Sequence, residues 1–275
     1  MTYRELFRLI CQQKLPPHEA NILLEKLGGL SKTALMMHFD DECSPPIAKQ
    51  IQKLTSLRKT GQPLQYLLGE WEFFGLDFFV GDGVLIPRAD TEILVETSLE
   101  LLEGRPAPAV CDLCSGSGCI PIALAQNLPR EASLTAVELS DKALSYLIKN
   151  KERHHCSNLK VICDDVLTFC SEDKFDLITS NPPYISAEEM EQVQKELLFE
   201  PRMALEAEEN GLLFYRVISS RYGEYLKPGG YLAFEIGCQQ GEAVSRLLCE
   251  NGFTNVCVIQ DYGGNDRVVT GQWNQ

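Results

Sequence analysis

The sequence has no run of about 18 apolar residues, so nothing in it reads as a membrane-spanning helix. Its first residues, Met1-Thr2-Tyr3-Arg4-Glu5, lack the basic start and apolar core of a signal peptide, and a cytoplasmic location is expected. Histidine is scarce. His18, His38, His154 and His155 are the whole supply, none stands at a metal-ligand spacing from Cys, Asp or Glu, and no metal site is expected. Basic residues are outnumbered, 25 Lys and Arg against 39 Asp and Glu, for a formal net charge of −14. A chain this acidic repels phosphate backbones unless it carries a local basic face. The nearest candidate, Lys149 to His155, reads as the solvated end of a helix, so no direct nucleic-acid binding is expected.

Cysteine, by contrast, is plentiful. Eleven are present, an odd number scattered through apparent strands and helices, which is no disulfide framework; most are expected to be buried, reduced thiols. Cys111 and Cys114 form a C-x-x-C, but Cys111 falls inside a strand pattern and Cys114 on a Gly-rich turn, which disfavours a redox pair. Hydrophobic residues make up 44% of 275, enough to bury a sizeable core in one large domain or a large and a small one.

Residues 1 to about 60 read as a helical bundle. Pro16-Pro17 separates a first amphipathic helix from a second, Gly28-Gly29 ends the second, Ser31 caps a short third, and a fourth starts at Ser44-Pro45-Pro46. The fourth is expected to show a basic face made of Lys49, Lys53, Arg58 and Lys59. The aromatic-rich stretch from Trp71 to Val80, broken at Gly75, reads as a β-hairpin joining two parts. Asp90 is a candidate cap for a helix from Thr91 to Glu103. From Ala109 onward strand and helix patterns alternate, with a helix expected over 211–226, a fifth strand over 231–236, and a closing hairpin from Phe253 to Thr270. The expected organisation is a helical bundle over 1–69 that is a candidate for substrate recognition, a hairpin linker over 70–86, and an α/β domain over 87–275. Its sheet is expected to be mostly parallel with one antiparallel strand.

Two stretches carry chemistry. Phe175-Asp176-Leu177-Ile178 reads as a buried strand, and Thr179-Ser180-Asn181-Pro182-Pro183-Tyr184 stops it abruptly, because proline lacks an N–H and biases the preceding residue to extended geometry. Such a turn lies at the carboxyl edge of the sheet, where open α/β sheets bind ligands. The Asn181 side-chain oxygen and the Pro182 carbonyl can accept the two hydrogens of a planar –NH2, Pro183 stiffens the turn, and Tyr184 offers a flat face. The other stretch, Asp112-Leu113-Cys114-Ser115-Gly116-Ser117-Gly118, joins the first strand of the α/β part to a helix, where glycines admit a ligand close to free backbone N–H groups. Glu138, at the end of the next strand, can bind ribose hydroxyls. Asp165, at the end of the third, can accept from an adenine amino group, and the Val166 N–H can serve the neighbouring ring nitrogen. A dinucleotide site wants a third glycine where Pro121 stands, and it leaves Asn-Pro-Pro-Tyr without a use. S-adenosyl-L-methionine has ribose and adenine without the pyrophosphate, so a methyltransferase is favoured over a dehydrogenase. A binding protein that has kept a methyltransferase fold is disfavoured by the intact Asn-Pro-Pro-Tyr.

Over nearly its whole length the chain resembles the release-factor glutamine methyltransferases, the PrmC/HemK family. The stretches that carry the resemblance are Gln62 to Gly69, Phe73 to Leu76, Leu85-Ile86-Pro87-Arg88-Ala89-Asp90-Thr91-Glu92, Asp112 to Gly118, Asn181 to Tyr184, and Asp266-Arg267-Val268. Asn-Pro-Pro-Tyr also occurs in adenine-N6 methyltransferases of nucleic acids, the alternative reading, which the acidic charge disfavours. The resemblance implies a class I methyltransferase fold with a Rossmann-like sheet and S-adenosyl-L-methionine as methyl donor. The implied substrate is the glutamine of the Gly-Gly-Gln motif in class 1 peptide chain release factors. It further implies cofactor contacts from Cys114, Ser115, Gly116, Ser117, Gly118, Glu138, Val166 and Asn181. Asn181 to Tyr184 would hold the glutamine amide, with Asn181, Pro182 and Tyr184 as the catalytic candidates. A monomer without a membrane partner is expected. Two positions depart from the family: Cys114 stands where it usually has glycine, and Glu206 to Gly211 replaces a more glycine-rich loop.

Overall fold

A computed structural model describes residues 1–275, and these form two compact units. The smaller comprises Met1–Gly69 together with Lys195–Phe199, the larger Glu70–Gln194 and Glu200–Gln275. The expected linker over 70–86 thus belongs to the larger unit, and a short segment from the middle of the chain belongs to the smaller.

In the smaller unit, helices α1 (Tyr3–Gln12), α2 (Pro17–Gly28), α3 (Lys32–Met37), α4 (Pro45–Arg58) and α5 (Leu64–Leu68) enclose a core that includes Leu6, Ile10, Leu23, Leu24 and Ile51. Their ends follow local chemistry. Thr2 and Glu5 make a reciprocal capping box, Ser31 accepts from the Ala34 N–H, and Gly29 ends α2 in the left-handed conformation that glycine adopts freely. The expected basic face of α4 loses one member. The Arg58 side chain is only 12% exposed, bound by both oxygens of Glu19 at 2.8 and 2.9 Å and by Glu196. Its planar fork needs carboxylates on two sides, which the spacing of α4 alone does not reveal.

The larger unit opens with the hairpin of β1 (Glu70–Phe73) and β2 (Leu76–Phe79), turning at Phe74-Gly75 with positive φ at both residues. Next comes α6 (Glu92–Leu101), preceded by a tight 3-10 turn at Ala89–Thr91. Then follow β3 (Ala109–Leu113), α7 (Cys119–Asn127), β4 (Ser133–Glu138), α8 (Asp141–Arg153), β5 (Leu159–Cys163), β6 (Phe175–Ser180), the single turn α9 (Ala187–Met190), α10 (Glu208–Gly211), α11 (Leu213–Arg221), β7 (Leu226–Glu235), α12 (Gly241–Glu250), β8 (Thr254–Gln260) and β9 (Asp266–Trp273). Seven strands form one sheet in the order β5-β4-β3-β6-β7-β9-β8, with β9 alone reversed, as the sequence predicts. Strand β6 is buried at every position, as a central parallel strand covered on both faces must be.

Two expectations fail locally. Asp90 caps no helix but lies 3.3 Å from Arg267. The helix expected over 211–226 ends early, because Leu226 already pairs with Phe175 and Lys227-Pro228-Gly229-Gly230 forms an irregular stretch inside β7 rather than a helix stop. Strand order reverses between β3 and β6, and a crevice opens at their carboxyl ends, where parallel sheets place ligands.

Candidate active site

Beyond β3 the chain turns through Cys114, Gly116 and Gly118, with φ of +58°, +55° and +81°. The two glycines serve different ends. A Cβ on Gly116 would meet nothing within 4 Å, leaving open space beside the backbone, whereas one on Gly118 would press on Leu147 at 3.0 Å and Ile122 at 3.1 Å. Glycine at 116 keeps room for a ligand, and glycine at 118 lets α7 and α8 approach. Glu138, nearly buried at the end of β4, fixes the turn. One of its oxygens accepts from the Gly116 N–H and the other from the Ser140 N–H, both at 2.8 Å. Each oxygen retains a lone pair for a further donor. Asn150 of α8 holds the far side, donating to the Ser117 carbonyl at 2.9 Å while bonding Phe79 through both its N–H and C=O.

At the end of β5, Asp165 accepts from the Leu167 N–H at 2.8 Å, and the Val166 carbonyl accepts from the Tyr222 hydroxyl at 2.6 Å. The Val166 N–H has no partner in the protein.

At the end of β6, the Thr179 hydroxyl donates to Asp112 at 2.7 Å and the Ser180 hydroxyl to the Leu113 carbonyl at 2.9 Å, stapling β6 to β3 just before the turn. Asn181 follows, half-buried. Its Nδ2 donates to the Thr91 hydroxyl oxygen at 3.3 Å, and its Oδ1 meets no protein donor. The turn is strapped from outside. Tyr184 and Ile185 donate their N–H groups to the Leu205 carbonyl, Ala207 donates to the Ile185 carbonyl, and Gln240 donates to the Tyr184 carbonyl at 3.1 Å.

Cys114, Ser115, Gly116, Ser117, Glu138, Asp165, Val166, Asn181 and Pro183 all line one cavity of about 350 Å³. Gly118, Pro182 and Tyr184 lie outside its wall. The Tyr184 ring packs on the core cluster that contains Tyr215 and Phe234, and burial pushes its hydroxyl pKa up. Residues that sequence reasoning left without a task also line the cavity, among them Ile86, Pro87, Arg88, Thr91, Glu206 and Phe214. Their signal was the Ile-Pro-Arg-x-Asp-Thr-Glu stretch, several of whose polar groups have partners far away in the sequence. The Ile86 N–H and the Arg88 guanidinium both bind buried Glu200, Asp90 faces Arg267, Thr91 accepts from Asn181, and Glu92 accepts from the Phe74 N–H. Two buried acids stand close by. Burial pushes the pKa of Asp112 up to about 7, and that of Glu235, on β7, also up to about 7.

Residues 89–233 match the methyltransferase small domain, and residues 6–69 match the PrmC N-terminal domain. A release factor glutamine methyltransferase of Escherichia coli is 33% identical over 272 residues, which span 99% of this chain and 98% of that one. Another, of Geobacter sulfurreducens, is 41% identical over 92% of this chain and 88% of its own length. The chain belongs to the release factor glutamine methyltransferase family. Members use S-adenosyl-L-methionine as methyl donor, and so does this chain. A methyltransferase structure from Pyrococcus furiosus, 17% identical, shares the fold with a TM-score of 0.55 over 82% of this chain and 98% of that one.

The cavity fits that cofactor on its own chemistry. Open space beside Gly116 admits a ligand against the backbone. Glu138 keeps lone pairs for the hydroxyls of a ribose, and the unpartnered Val166 N–H suits a ring nitrogen. The volume lies in the range of small-molecule sites.

Proposed function

We propose that the chain methylates the side-chain amide nitrogen, N5, of the glutamine in the Gly-Gly-Gln motif of class 1 peptide chain release factors. In this reading Glu138 holds the ribose, Asp165 and the Val166 N–H hold the adenine, and the loop from Cys114 to Gly118 holds the methionine portion. The bound cofactor supplies an electrophilic methyl group on a sulfonium. Asn181 Oδ1 accepts one hydrogen of the glutamine –NH2 and the Pro182 carbonyl the other. An amide nitrogen is a poor nucleophile because its lone pair is delocalised. Two fixed acceptors would orient that nitrogen and stabilise the positive charge it gains as its bond to the methyl carbon forms and the methyl–sulfur bond breaks to leave a neutral thioether, before the nitrogen gives one proton to water. Pro183 holds the turn rigid, and the half-buried Tyr184 ring flanks the amide from beyond the cavity wall.

The observation that carries this reading is the Asn181 carboxamide. It lines the same cavity as Gly116, its nitrogen is engaged by Thr91, and its oxygen is left without a donor. Asn181→Ala is expected to lower kcat by roughly 10²- to 10³-fold, as loss of one preorganised polar group at a reacting centre does. Its circular dichroism and melting temperature are expected to stay unchanged. Full turnover of a release factor by that variant, followed with labelled cofactor, would refute the reading. Glu138→Ala tests the other half of the site. It is expected to weaken cofactor binding about ten-fold or more by calorimetry, the loss of a charge-assisted pair of hydrogen bonds. An unchanged Kd removes Glu138 from the ribose.

A further inference from the structure

Two consecutive prolines limit what the Asn181–Tyr184 turn can do to hold itself. Neither Pro182 nor Pro183 has an N–H to give, so Tyr184 is the first residue after Asn181 whose backbone can donate as well as accept. Both of its backbone groups are committed, and to different parts of the chain. Its N–H goes to the Leu205 carbonyl at 3.2 Å. Its carbonyl accepts from Gln240 Nε2 at 3.1 Å, a bond between residues 56 apart in the sequence.

Gln240 does something unusual for its place. It stands at the N-cap of α12, where a short Ser, Thr, Asp or Asn side chain folds back onto the free N–H groups of its own helix, yet it makes no such bond. Its side chain turns the other way. Oε1 accepts from the Gly237 N–H at 3.0 Å, while the Gln240 N–H donates to the Gly237 carbonyl at 2.8 Å. A backbone N–H can only donate, so Gly237 fixes which end of the carboxamide it meets, and Nε2 is left facing Tyr184. Side chains at two nearby positions would crowd that contact. A Cβ on Gly237 would stand 3.0 Å from Gln240 Oε1 and 3.5 Å from Tyr184 Cδ2, and one on Gly211 would stand 2.8 Å from Gln240 Nε2. Glycine at both places lets three segments meet on one peptide: the turn, the run ending at Gly211, and the junction between β7 and α12. Gln240 itself does not line the cavity.

We propose that Gln240 is a positioning residue for methyl transfer: it pins the exit of the turn through the Tyr184 carbonyl and so fixes where Asn181 Oδ1 and the Pro182 carbonyl stand. The inference rests on the reading of the turn given above. The prolines transmit the restraint, because their rings fix φ and leave few ways for the chain to shift between Asn181 and Tyr184. The two anchors differ in kind. Leu205 belongs to a loop, whereas Gln240 follows β7, the strand paired with β6, so its bond refers the turn back to the sheet from which the turn springs.

The test is a set of variants of the full chain, assayed with release factor and labelled S-adenosyl-L-methionine. Gln240→Glu keeps the shape and the acceptor for the Gly237 N–H but removes the donor to Tyr184; its kcat is expected to fall roughly ten-fold or more, as displacement of a reacting group costs. Its Kd for cofactor, by calorimetry, is expected to stay within about three-fold of the parent, because no group in the cavity is removed. Gln239→Glu, on the exposed neighbouring residue, adds the same charge, and its kcat is expected to stay within about two-fold. Gln240→Ala removes both side-chain bonds and is expected to lose at least as much kcat as Gln240→Glu. Parent kcat in Gln240→Glu overturns the inference. So does a loss confined to Gln240→Ala, which would make the role one of packing, and so does an equal loss in Gln239→Glu, which would make it an effect of charge alone. A cofactor Kd that weakens in step with kcat would make Gln240 a general support of the fold and sinks the inference as well. If Asn181→Ala is inactive while Gln240→Glu is normal, only this inference falls; if Asn181→Ala turns over normally, the amide-gripping reading falls and this inference with it.

Discussion

Asp112 lies fully buried at the end of β3, with Oδ1 bound to the Thr179 hydroxyl and Oδ2 bound to nothing. Burial lifts its pKa from 3.8 to about 7. Below about pH 4 the folded and unfolded chains both hold this proton, and the group contributes no difference. As pH rises toward 7 the unfolded chain ionises while the folded one stays protonated, so stability is lost across that window and is level above it. Asp112→Asn removes the titration and keeps an acceptor for Thr179. The variant is therefore expected to gain stability relative to the parent by roughly 2–3 kcal/mol between pH 5 and pH 8, measured by urea unfolding at each pH. A gap that does not change with pH would show that Asp112 is ionised in the fold. At this scale the sequence was informative wherever a residue's task is set by its neighbours in the chain. Cys114 in a glycine's place does adopt the left-handed conformation, at φ +58°, that makes glycine the usual choice. Arg58 and Glu200 were illegible because their partners lie 39 and 112 residues away, and no local pattern records such a pairing.

Elements show the same division. The strands other than β7, the cap at Ser31 and the hairpin turn at Gly75 follow from short-range chemistry and stand where the sequence puts them. The segment from Leu205 to Gly211 does not. It pairs with Tyr184 and Ile185, then passes through Glu209, Asn210 and Gly211 in succession with φ of +56°, +55° and +82°. Asn-Gly favours the left-handed region, but nothing in the local sequence announces that Glu209 joins it; the contact the run serves is with a turn more than twenty residues earlier. A Cβ on Gly211 would lie 2.1 Å from the Tyr184 carbonyl oxygen and 2.8 Å from Gln240 Nε2. Gly211→Ala is thus expected to displace the Asn181–Tyr184 turn, lower kcat by roughly ten-fold or more and destabilise the chain by about 2–4 kcal/mol. Gly264→Ala is the matched control. Its φ is +81°, but its Cβ meets nothing within 4 Å, so it is expected to cost only the conformational preference, about 1 kcal/mol, with turnover unchanged. Equal effects of the two substitutions on turnover would show that the segment does not position the turn.

For the molecule as a whole, the alternation of strand and helix after Ala109 was enough to give the sheet its class and its one reversed strand, because parallel βα units leave few topologies open. Where the compact units divide was less legible. The hairpin from Glu70 joins the larger unit because Phe73 and Phe78 enter its core, and Lys195–Phe199 belongs to the smaller although it sits in the middle of the sequence. The cores are nevertheless separate in composition. Every buried member of the two clusters of the larger unit comes from residues 73–269, and every one of the smaller unit's cluster from residues 3–64. The whole cavity is built from residues 83–214, all within the larger unit. A chain beginning at Glu70 therefore retains its own cores and the complete cofactor site. It is expected to unfold cooperatively and to bind S-adenosyl-L-methionine with a Kd within about three-fold of the full chain, by calorimetry, since no group in the cavity is removed. If the helices of Met1–Gly69 serve to recognise the protein substrate, kcat/KM for a release factor is expected to fall by about ten-fold or more in the same truncated chain, the loss appearing chiefly in KM. Undiminished kcat/KM would free the helical unit from recognition, and loss of cofactor binding along with turnover would mean that the larger unit needs the smaller one to fold.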